Sequence, residues 1–444
     1  MKIPECFEKK FEKLKKAILE SKEIRILAHY DADGVSAAAI MFRTLKNKKI
    51  HISFVKDLSK DNVKRFLDER KEFYIFLDMG SSLISLLEGN INGAVLDHHP
   101  PEKDSEKIIH INPHLCGIPG SRDACGSTIA YLFSIYMDEA NFNLYPLFLS
   151  GAIGDKQNIG GYSGLNRLIL DMLMEKNITP SGTLRIQGRN LFESLLFATE
   201  PFIDGFSGNE ENVKKFLESS GLDPEKRFES LDEDKKIRLS SWIAIQLIRR
   251  NVEREIIESI VVDSFQLDGM SDYLLSDIID ACSRQDKQGL ALAYLSGDVE
   301  REQEVYQTFL EHKKNLIREI YSAIRNKKEM KNLQYFYVSE DSMAGAVSGT
   351  LMMYYFDRDK VTIGLHEKDG EVRVSGRATR YLVSKGINLG VSMGTCAERV
   401  NGFGGGHDIA AGANIPTGKV NEFLECLDGI LGEQINDTKI TSKI

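Results

Sequence analysis

The sequence predicts an α/β fold in which a mostly parallel sheet is flanked by helices. Short apolar runs typical of buried strands alternate with helical segments from residue 24 to about residue 155, a pattern that favours βαβ units. Several of these runs end directly in acidic or imidazole side chains, and the carboxyl ends of parallel strands are where ligands bind. After residue 333 the strand pattern returns, which predicts a second, smaller α/β domain.

Size and composition narrow the class of protein. A chain of 444 residues exceeds the about 250–300 residues at which single cores stop growing, so it should contain more than one domain. The net charge of −9 argues against a protein that coats nucleic acid by charge alone, but not against a nuclease, because metal-binding carboxylates are themselves acidic. Six cysteines without a C-x-x-C pair predict reduced thiols rather than a disulfide or zinc framework. The charged N-terminus and the lack of an apolar run of about 18 residues predict no signal peptide, no membrane span and a cytoplasmic location.

The first acidic motif follows a predicted strand at residues 24–28. His29, Asp31 and Asp33 alternate along the chain, so in an extended segment their side chains share one face. Gly34 then permits a tight turn into the next helix. The alternative is an Asx turn or a helix N-cap, which needs one aspartate and explains neither the second one nor the histidine.

Two later apolar runs also end in acidic side chains. Residues 73–77 lead into Asp78, which by itself is equally consistent with a cap for the next helix. Residues 94–96 lead into the motif Asp97-His98-His99. Because buried charge is costly unless it is paired or bound to metal, this motif suggests a metal or phosphate site. The alternative is a polar loop at a strand end.

A fourth acidic site, Gly154-Asp155, follows the apolar segment at residues 147–153. We group this site with the strand ends. Capping explains one aspartate, but not carboxylates at four successive elements together with three histidines. The candidate ligands are His29, Asp31, Asp33, Asp78, Asp97, His98, His99 and Asp155. This set is large enough for two divalent ions that share one carboxylate, an arrangement used in phosphoryl hydrolysis. Mixed carboxylate and imidazole ligands favour Mn²⁺, with Mg²⁺ or Co²⁺ as alternatives, and the absence of thiolates argues against structural zinc.

The second predicted domain carries candidates for phosphate contact. The glycines Gly404, Gly405 and Gly406 let a ligand approach the backbone, and His407 follows at once. A flexible loop is the alternative for this run. Arg377, in Ser375-Gly-Arg377, offers a guanidinium that binds phosphate through two N–H groups, or is instead an ordinary surface arginine.

Further candidates lie outside that domain. The helix that begins near Gly126 offers backbone N–H groups suited to a phosphate, with Arg122 just before it, or else is simply capped by Ser127. A charged helix at residues 300–331 provides either a solvated face or a cationic track for nucleic acid. The predicted domains are residues 1–190 (catalytic), 191–295 (a helical insertion), 296–331 (a linker helix) and 332–437 (the smaller α/β domain).

Taken together, these motifs resemble the DHH phosphoesterase superfamily. His29-x-Asp31-x-Asp33-Gly, Asp78, Asp97-His98-His99 and Gly154-Asp155 match its four motifs in order. Asn401-Gly-Phe-Gly-Gly-Gly-His407 resembles the signature of the DHHA1 domain that accompanies it. The runs at residues 97–105 and 404–412 are most similar to archaeal RecJ-like single-strand exonucleases, the group that includes GINS-associated nucleases.

The resemblance implies a role for each candidate. Two Mn²⁺ ions would be held by the DHH domain, one by His29 and Asp31 and the other by Asp33, His98 and Asp155, with Asp78 as the bridge. His99 would contact the scissile phosphate or the leaving oxygen, and Asp97 would orient an imidazole. Ser375, Arg377 and His407 would bind nucleic-acid phosphate from the DHHA1 side of a cleft between the two domains.

The function expected on this basis is Mn²⁺-dependent exonuclease activity on single-stranded DNA, 5′→3′, in replication or repair. An exoribonuclease or a phosphatase for short oligonucleotides would use the same motifs. A pyrophosphatase is less favoured, because the glycine run and the helical insertion point to the nuclease branch. A different class of answer is a replication scaffold that binds the GINS complex.

Overall fold

A five-stranded parallel sheet organises the first part of the computed structural model, which describes residues 3–56, 63, 66, 72–267 and 269–441. Its strands are β1 (Glu23–His29), β2 (Lys49–Val55), β3 (Phe73–Leu77), β4 (Gly93–Leu96) and β5 (Ile109–Ile111). They lie in the order β2-β1-β3-β4-β5, and every neighbouring pair is parallel. The predicted parallel sheet is therefore confirmed, and the carboxyl ends of β1, β3 and β4 meet at one edge.

Two units divide the chain, and neither is contiguous in sequence. The first unit comprises Met1–Ser181 with Asp263–Leu310, and the second comprises Gly182–Val262 with Glu311–Ile444. The helix Glu302–Asn326, shorter than the predicted one, contains a boundary between them. The domain boundaries proposed from the sequence remain predictions.

Helices flank the parallel sheet of the first unit. They are Glu5–Glu20, Ala32–Thr44, Ile84–Leu87, Gly120–Asp123, Gly126–Met137, Tyr145–Gly154, Gly164–Glu175, Asp272–Arg284 and Gln288–Leu295. The opening helix buries Phe7, Phe11, Leu14 and Ile18, which follow its 3.6-residue period. Three short strands also occur in the chain, β7 (Val261–Ser264), β8 (Gln266–Leu267) and β9 (Met270–Ser271), and β8 pairs with β9.

One element assigned to a strand end is helical. The apolar segment before Asp155 forms the helix Tyr145–Gly154, so Asp155 follows a helix rather than a strand. Seven of its residues, from Leu147 to Ile153, are buried on all sides of the helix. A helix that is apolar all round has no amphipathic period, so its pattern cannot be distinguished from that of a buried strand.

The second unit contains a mixed six-stranded sheet. Its strands are β10 (Lys328–Glu329), β11 (Leu333–Tyr337), β12 (Val361–Lys368), β13 (Glu371–Arg377), β14 (Phe403–Gly406) and β15 (Ala410–Pro416). The order is β10-β11-β12-β13-β15-β14, with β11 and β12 parallel and the other pairs antiparallel. The helices in this part of the chain are Leu191–Leu196, Glu210–Ser219, Glu233–Arg249, Arg254–Glu258, Asp341–Tyr354, Arg380–Ser384, Leu389–Arg399 and Val420–Thr441. A further short strand, β6 (Ser181–Leu184), begins at the unit boundary.

The cysteine prediction was wrong. Cys6 forms a disulfide with Cys116, and Cys396 forms one with Cys426, whereas Cys125 and Cys282 are free and buried. The bonded partners are 110 and 30 residues apart in sequence, with Cα atoms 6.0 and 5.8 Å apart. Local spacing could not reveal these pairs, because only the packing of distant segments brings them within bonding distance.

Among the described residues, no helix combines the length and the apolar character that a membrane crossing requires.

Candidate metal centre

The end of β1 supplies the first ligand pair. Asp31 caps the helix Ala32–Thr44 by accepting a hydrogen bond from Gly34 N at 3.0 Å. Its other oxygen lies 2.9 Å from His29 Nδ1. A Cβ at Gly34 would clash with the His29 carbonyl, so this tight turn requires glycine. Capping and ligand geometry therefore coexist in Asp31, and the capping alternative does not compete with the metal interpretation.

Asp33 lies in the first turn of the same helix and is 1% exposed. Its carboxylate accepts hydrogen bonds from Gly126 N at 2.6 Å and Ser127 N at 2.9 Å, at the start of the helix Gly126–Met137. These are the N–H groups that the sequence offered to a phosphate, so that expectation is corrected: they hold a carboxylate of the protein. Arg122 lies in the short helix Gly120–Asp123 and is exposed.

Asp78 occupies the centre of the site. It is 2% exposed and has a φ of 58°, a left-handed conformation that is uncommon outside glycine and that aspartate tolerates better than most residues. Its carboxylate lies 3.4 Å from His29 Nδ1, 3.1 Å from His98 Nε2 and 3.9 Å from His99 Nδ1. One aspartate therefore contacts imidazoles from the ends of both β1 and β4.

The two histidines after β4 are oriented by different acceptors. His98 Nδ1 lies 2.8 Å from the Gly120 carbonyl, so that nitrogen carries the proton and Nε2 faces Asp78 and Asp155. His99 Nδ1 lies 2.8 Å from Asp97 Oδ1, and the His99 side chain is 53% exposed. His98 therefore points into the site, whereas His99 is open to solvent.

Three groups of side chains could each hold a metal ion. They are His29 with Asp31 and Asp78; Asp33 with His98 and Asp155; and Asp78 with His98 and His99. Within each group the ligand atoms lie within 4.8 Å of one another. Asp78 and His98 each belong to two groups, so the groups form one continuous site. The fold therefore brings together seven of the eight candidate ligands; the eighth, Asp97, is in none of the three groups among the described residues and instead contacts His99.

The phosphate candidates of the second unit share one sheet. Arg377 and Ser375 alternate on β13, and Arg377 Nη1 donates to Ser375 Oγ at 3.3 Å and to the Gly376 carbonyl at 2.8 Å. In the strand register Ser375 pairs with Gly412, which pairs with Gly405. Gly404–Gly406 form strand β14 rather than a loop, and the exposed His407 follows.

Comparison with known proteins identifies the family. The DHH family N-terminal domain matches residues 23–151, and the DHHA1 domain matches residues 330–433. An uncharacterized protein of Methanocaldococcus jannaschii is 34% identical over 448 residues, covering 96% of this chain and 98% of that protein.

This chain belongs to the DHH family.

Solved structures share the fold of this chain at low sequence identity. RecJ of Thermus thermophilus in complex with Mn²⁺ aligns at a TM-score of 0.58 and 18% identity, covering 97% of this chain but only 55% of RecJ. An exonuclease RecJ bound to manganese aligns at 0.58 and 18% identity, covering 96% and 94% of the two chains. CDC45 from Entamoeba histolytica aligns at 0.63 and 13% identity, covering 96% and 98%. At these identities the likenesses show the fold alone.

Sequence reasoning missed the residues that support the DHH motifs. Ser81 N donates to Asp97 Oδ2 at 2.9 Å, and Ser81 Oγ lies 2.9 Å from His110 Nε2. Asn112 Nδ2 donates to both Ser81 Oγ and the His99 carbonyl at 2.8 Å. A signal was available, because Asn112 directly follows β5 at the same sheet edge as the other motifs. Such buried networks hold a site in one geometry.

Glycines form the second missed set. A Cβ at Gly126 would lie 2.6 Å from Asp78 Cβ and 2.9 Å from Asp33 Oδ2. A Cβ at Gly151 would lie 2.8 Å from Asp33 Oδ1. The helices that carry these glycines can approach the carboxylates only without side chains there, and no local pattern in the sequence announces that requirement.

The charges of the site fit cationic ligands. Burial opposes protonation of His29, but its contacts with Asp31 and Asp78 outweigh burial and raise its pKa to about 10. Burial, reinforced by the charges of Asp78 and Asp155, raises the pKa of Asp33 to about 8. Although burial opposes ionisation of Asp78 too, His29 and His98 hold its pKa well below the usual range. Within the described residues, His29 Nδ1 and Asp78 Oδ1 are buried without a hydrogen bond of good geometry. Protons on His29 and Asp33 thus balance the negative charge of the clustered carboxylates. The same side chains suit a divalent cation, which can take the place of these protons.

Metal binding should therefore release protons. The pKa of His29 is about 10 and that of Asp33 is about 8. Because pH 7 is below both values, each side chain holds a proton that a metal must displace. We expect at least two protons released per protein, one at each ion, and an affinity for each Mn²⁺ ion that rises by about tenfold per pH unit between pH 6 and 7.5. Calorimetric titration with Mn²⁺ in buffers of different ionisation enthalpy measures the proton count.

The matched control for this titration is His51→Ala. His51 is a histidine of the first unit that pairs with Glu23 at 2.6 Å, outside the three groups of ligands. Its replacement should leave the proton count unchanged, whereas His29→Ala should lower it. A proton count of zero in the native protein would contradict the assignment.

Proposed function

We propose that this protein is a metal-dependent exonuclease of single-stranded nucleic acid that hydrolyses DNA 5′→3′ with two Mn²⁺ ions. The observation that carries the proposal is the continuous set of carboxylates and imidazoles around Asp78 at one edge of the parallel sheet. Ligand groups that share a residue suit two neighbouring divalent ions, the arrangement used for in-line phosphoryl transfer.

Each ligand has a proposed place. His29 and Asp31 hold one ion, Asp33, His98 and Asp155 hold the other, and Asp78 contributes to both. When bound, such ions supply an activated water and neutralise the charge that develops on phosphoryl oxygens. Mg²⁺ or Co²⁺ would suit the same ligands, and the manganese bound to the RecJ structures supports Mn²⁺ as the first ion to test.

His99 is the proposed contact to the reacting phosphate. Its hydrogen bond to Asp97 outweighs burial and raises the pKa of its imidazole, which favours the protonated ring. The ring is half exposed and anchored through Nδ1, so Nε2 is the atom that can donate to a phosphate or a leaving oxygen. Asp97, buried and fixed by Ser81 N, is therefore a positioning residue for His99.

The second unit provides the proposed phosphate contacts. Ser375, Arg377 and His407 lie on or next to strands β13 and β14 of one sheet. The Gly404–Gly406 backbone gives an anion close access, and a guanidinium can bind phosphate through two N–H groups. Arg122, in the first unit, is a further candidate for phosphate contact because its side chain is exposed. It lies one residue before Asp123, the last residue of its helix.

Product mapping tests the activity. Single-stranded DNA and RNA of matched sequence, labelled at either end, are incubated with Mn²⁺, and the products are resolved by length. We expect mononucleotides released from the 5′ end of DNA. Digestion of RNA from its 3′ end, with DNA intact, would make the protein an exoribonuclease, and cleavage of only very short strands would make it an oligonucleotide phosphatase. If DNA, RNA and very short strands all remain uncleaved, the nuclease proposal is contradicted.

A second candidate is a replication or repair factor that binds the GINS complex. The sequence resemblance to GINS-associated nucleases supports it. The intact ligand set supports catalysis as well, since a scaffold alone has no need of it. Retention of GINS by the immobilised protein at physiological salt is expected, and no retention would count against this role.

A further inference from the structure

One face of the six-stranded sheet combines arginines, glycines and an exposed aromatic ring. Arg373, Ser375 and Arg377 alternate along β13, so their side chains share this face. The antiparallel register continues it across β15 and β14, where directly paired residues point the same way. Arg373 pairs with Asn414 and Asn414 with Phe403; Ser375 pairs with Gly412 and Gly412 with Gly405.

Helices cover this face only in part. A Cβ at Gly364 on β12 would lie 2.6 Å from Ser348 Oγ, and a Cβ at Gly345 would lie 2.9 Å from Arg377 Nη2, so the helix Asp341–Tyr354 lies on this side over β12 and β13. On the opposite side, a Cβ at Gly376 would lie 2.5 Å from Met393 Cε in the helix Leu389–Arg399.

Over β15 and β14 the same face is open. A Cβ at Gly412 would meet the Val374 carbonyl at 3.4 Å and no other atom within 4 Å among the described residues. A Cβ at Gly405 would meet no described atom within 4 Å. Beside this bare strip, Phe403 is 71% exposed on the edge strand. A bare backbone strip therefore runs from Ser375 across Gly412 to Gly405, on the edge strand that carries Phe403. In the neighbouring row Asn414, which donates to Glu371, lies between Arg373 and Phe403.

We propose that Phe403 stacks on a base of a single-stranded nucleic acid that lies across this face. The proposal rests on the proposed function. It names the part of the substrate that the second unit, which contains the DHHA1 domain, recognises. Stacking on an aromatic ring accepts any base, and guanidinium groups such as those of Arg373 and Arg377 bind the phosphates between bases. The bare glycines let the sugar–phosphate backbone lie against the sheet.

The spacing along β14 separates this contact from the proposed phosphate contact of His407. Phe403 precedes His407 by four residues, which at about 3.3 Å per residue separates them by about 13 Å along the chain. The ring would therefore hold a nucleotide other than the one whose phosphate contacts His407. Phe403 is thus a specificity residue that favours strands of several nucleotides over substrates of one or two.

Substitution tests this role with a readout that depends on strand length. Phe403→Ala should raise the KM for a ten-nucleotide DNA by about 5- to 100-fold, the range expected for one lost base stack, with kcat nearly unchanged. Hydrolysis of bis(p-nitrophenyl) phosphate, which is too small to reach the ring, should not change. Phe403→Tyr should retain most of the native KM. The matched control is Tyr381→Ala, since Tyr381 is another exposed ring of this unit that contacts Arg358 and Lys385 instead.

A binding assay separates this inference from the proposed function. Phe403→Trp adds a fluorophore to a chain whose one native tryptophan is Trp242. With EDTA present, oligothymidylate should quench the added emission far more than it changes the native emission. Quenching with EDTA, together with no hydrolysis when Mn²⁺ is supplied, would uphold stacking and refute the nuclease. Hydrolysis with native KM in Phe403→Ala, or binding without quenching, would refute stacking and leave the nuclease standing. Binding of a peptide rather than DNA at the exposed β14 edge would also overturn the stacking role. So would the absence of both DNA binding and hydrolysis.

Discussion

Replacing Asp78 with alanine should reduce Mn²⁺-dependent hydrolysis by about 10³-fold or more, because a two-metal site that loses its shared ligand can hold neither ion correctly. Asp78 is the carboxylate common to the His29–Asp31 group and the His98–His99 group. Its removal would also leave His29 and His98 without their common anion. Parallel measurements of hydrolysis rate and of Mn²⁺ stoichiometry by calorimetry check this result.

The control for Asp78 is an aspartate with an ordinary surface pair. Asp171 lies on the helix Gly164–Glu175 and pairs with Arg167 at 2.8 Å, and both side chains are about half exposed. Asp171→Asn should retain native activity, since such pairs contribute about 0–1 kcal/mol to stability. Asp78→Asn keeps the shape of the side chain and serves if the alanine variant does not fold. Native Mn²⁺ stoichiometry in a folded Asp78 variant would show that this residue does not hold both ions.

Gly126→Ala should damage the site through packing rather than through lost ligands. The added Cβ would lie 2.6 Å from Asp78 Cβ and 2.9 Å from Asp33 Oδ2, distances that force the helix Gly126–Met137 away from both carboxylates. Overpacking of this kind costs about 1–3 kcal/mol in the free energy of unfolding. Because Gly126 N also donates to Asp33, Mn²⁺ affinity should fall by about 10- to 100-fold. Urea unfolding and Mn²⁺ titration measure the two effects separately.

Gly289→Ala is the matched control in the same unit. Gly289 lies in the helix Gln288–Leu295, and a Cβ there would meet no described atom within 4 Å. Alanine should stabilise this helix by about 0.5–1 kcal/mol and leave Mn²⁺ binding unchanged. Equal stability and equal Mn²⁺ affinity in Gly126→Ala and the native protein would show that the close approach of this helix does not shape the site.

Much of the fold was predictable because its strands are short, apolar and buried. Residues 24–28, 73–77 and 94–96 lie within or coincide with β1, β3 and β4, and each is followed by the acidic motif that the sequence predicted. In a parallel sheet the carboxyl ends of neighbouring strands lie side by side, so the proximity of these motifs follows from topology. Two acidic residues were placed on the wrong kind of element. Asp33, expected in an extended segment, lies in the first turn of the helix Ala32–Thr44, which begins earlier than predicted. Asp155 follows a helix rather than a strand, since a fully buried helix has no periodic pattern.

The sequence by itself determined the parallel sheet, the ligand types and their order along the chain, because each depends on local pattern and on the chemistry of single residues. Only the tertiary structure decided what lies beside them. The pairing of Cys6 with Cys116, the docking of Gly126 and Gly151 against Asp33, and the Ser81–Asn112 support beneath His99 join segments distant in sequence. Such contacts depend on how whole elements pack, and packing distances between elements leave no periodic trace in the chain.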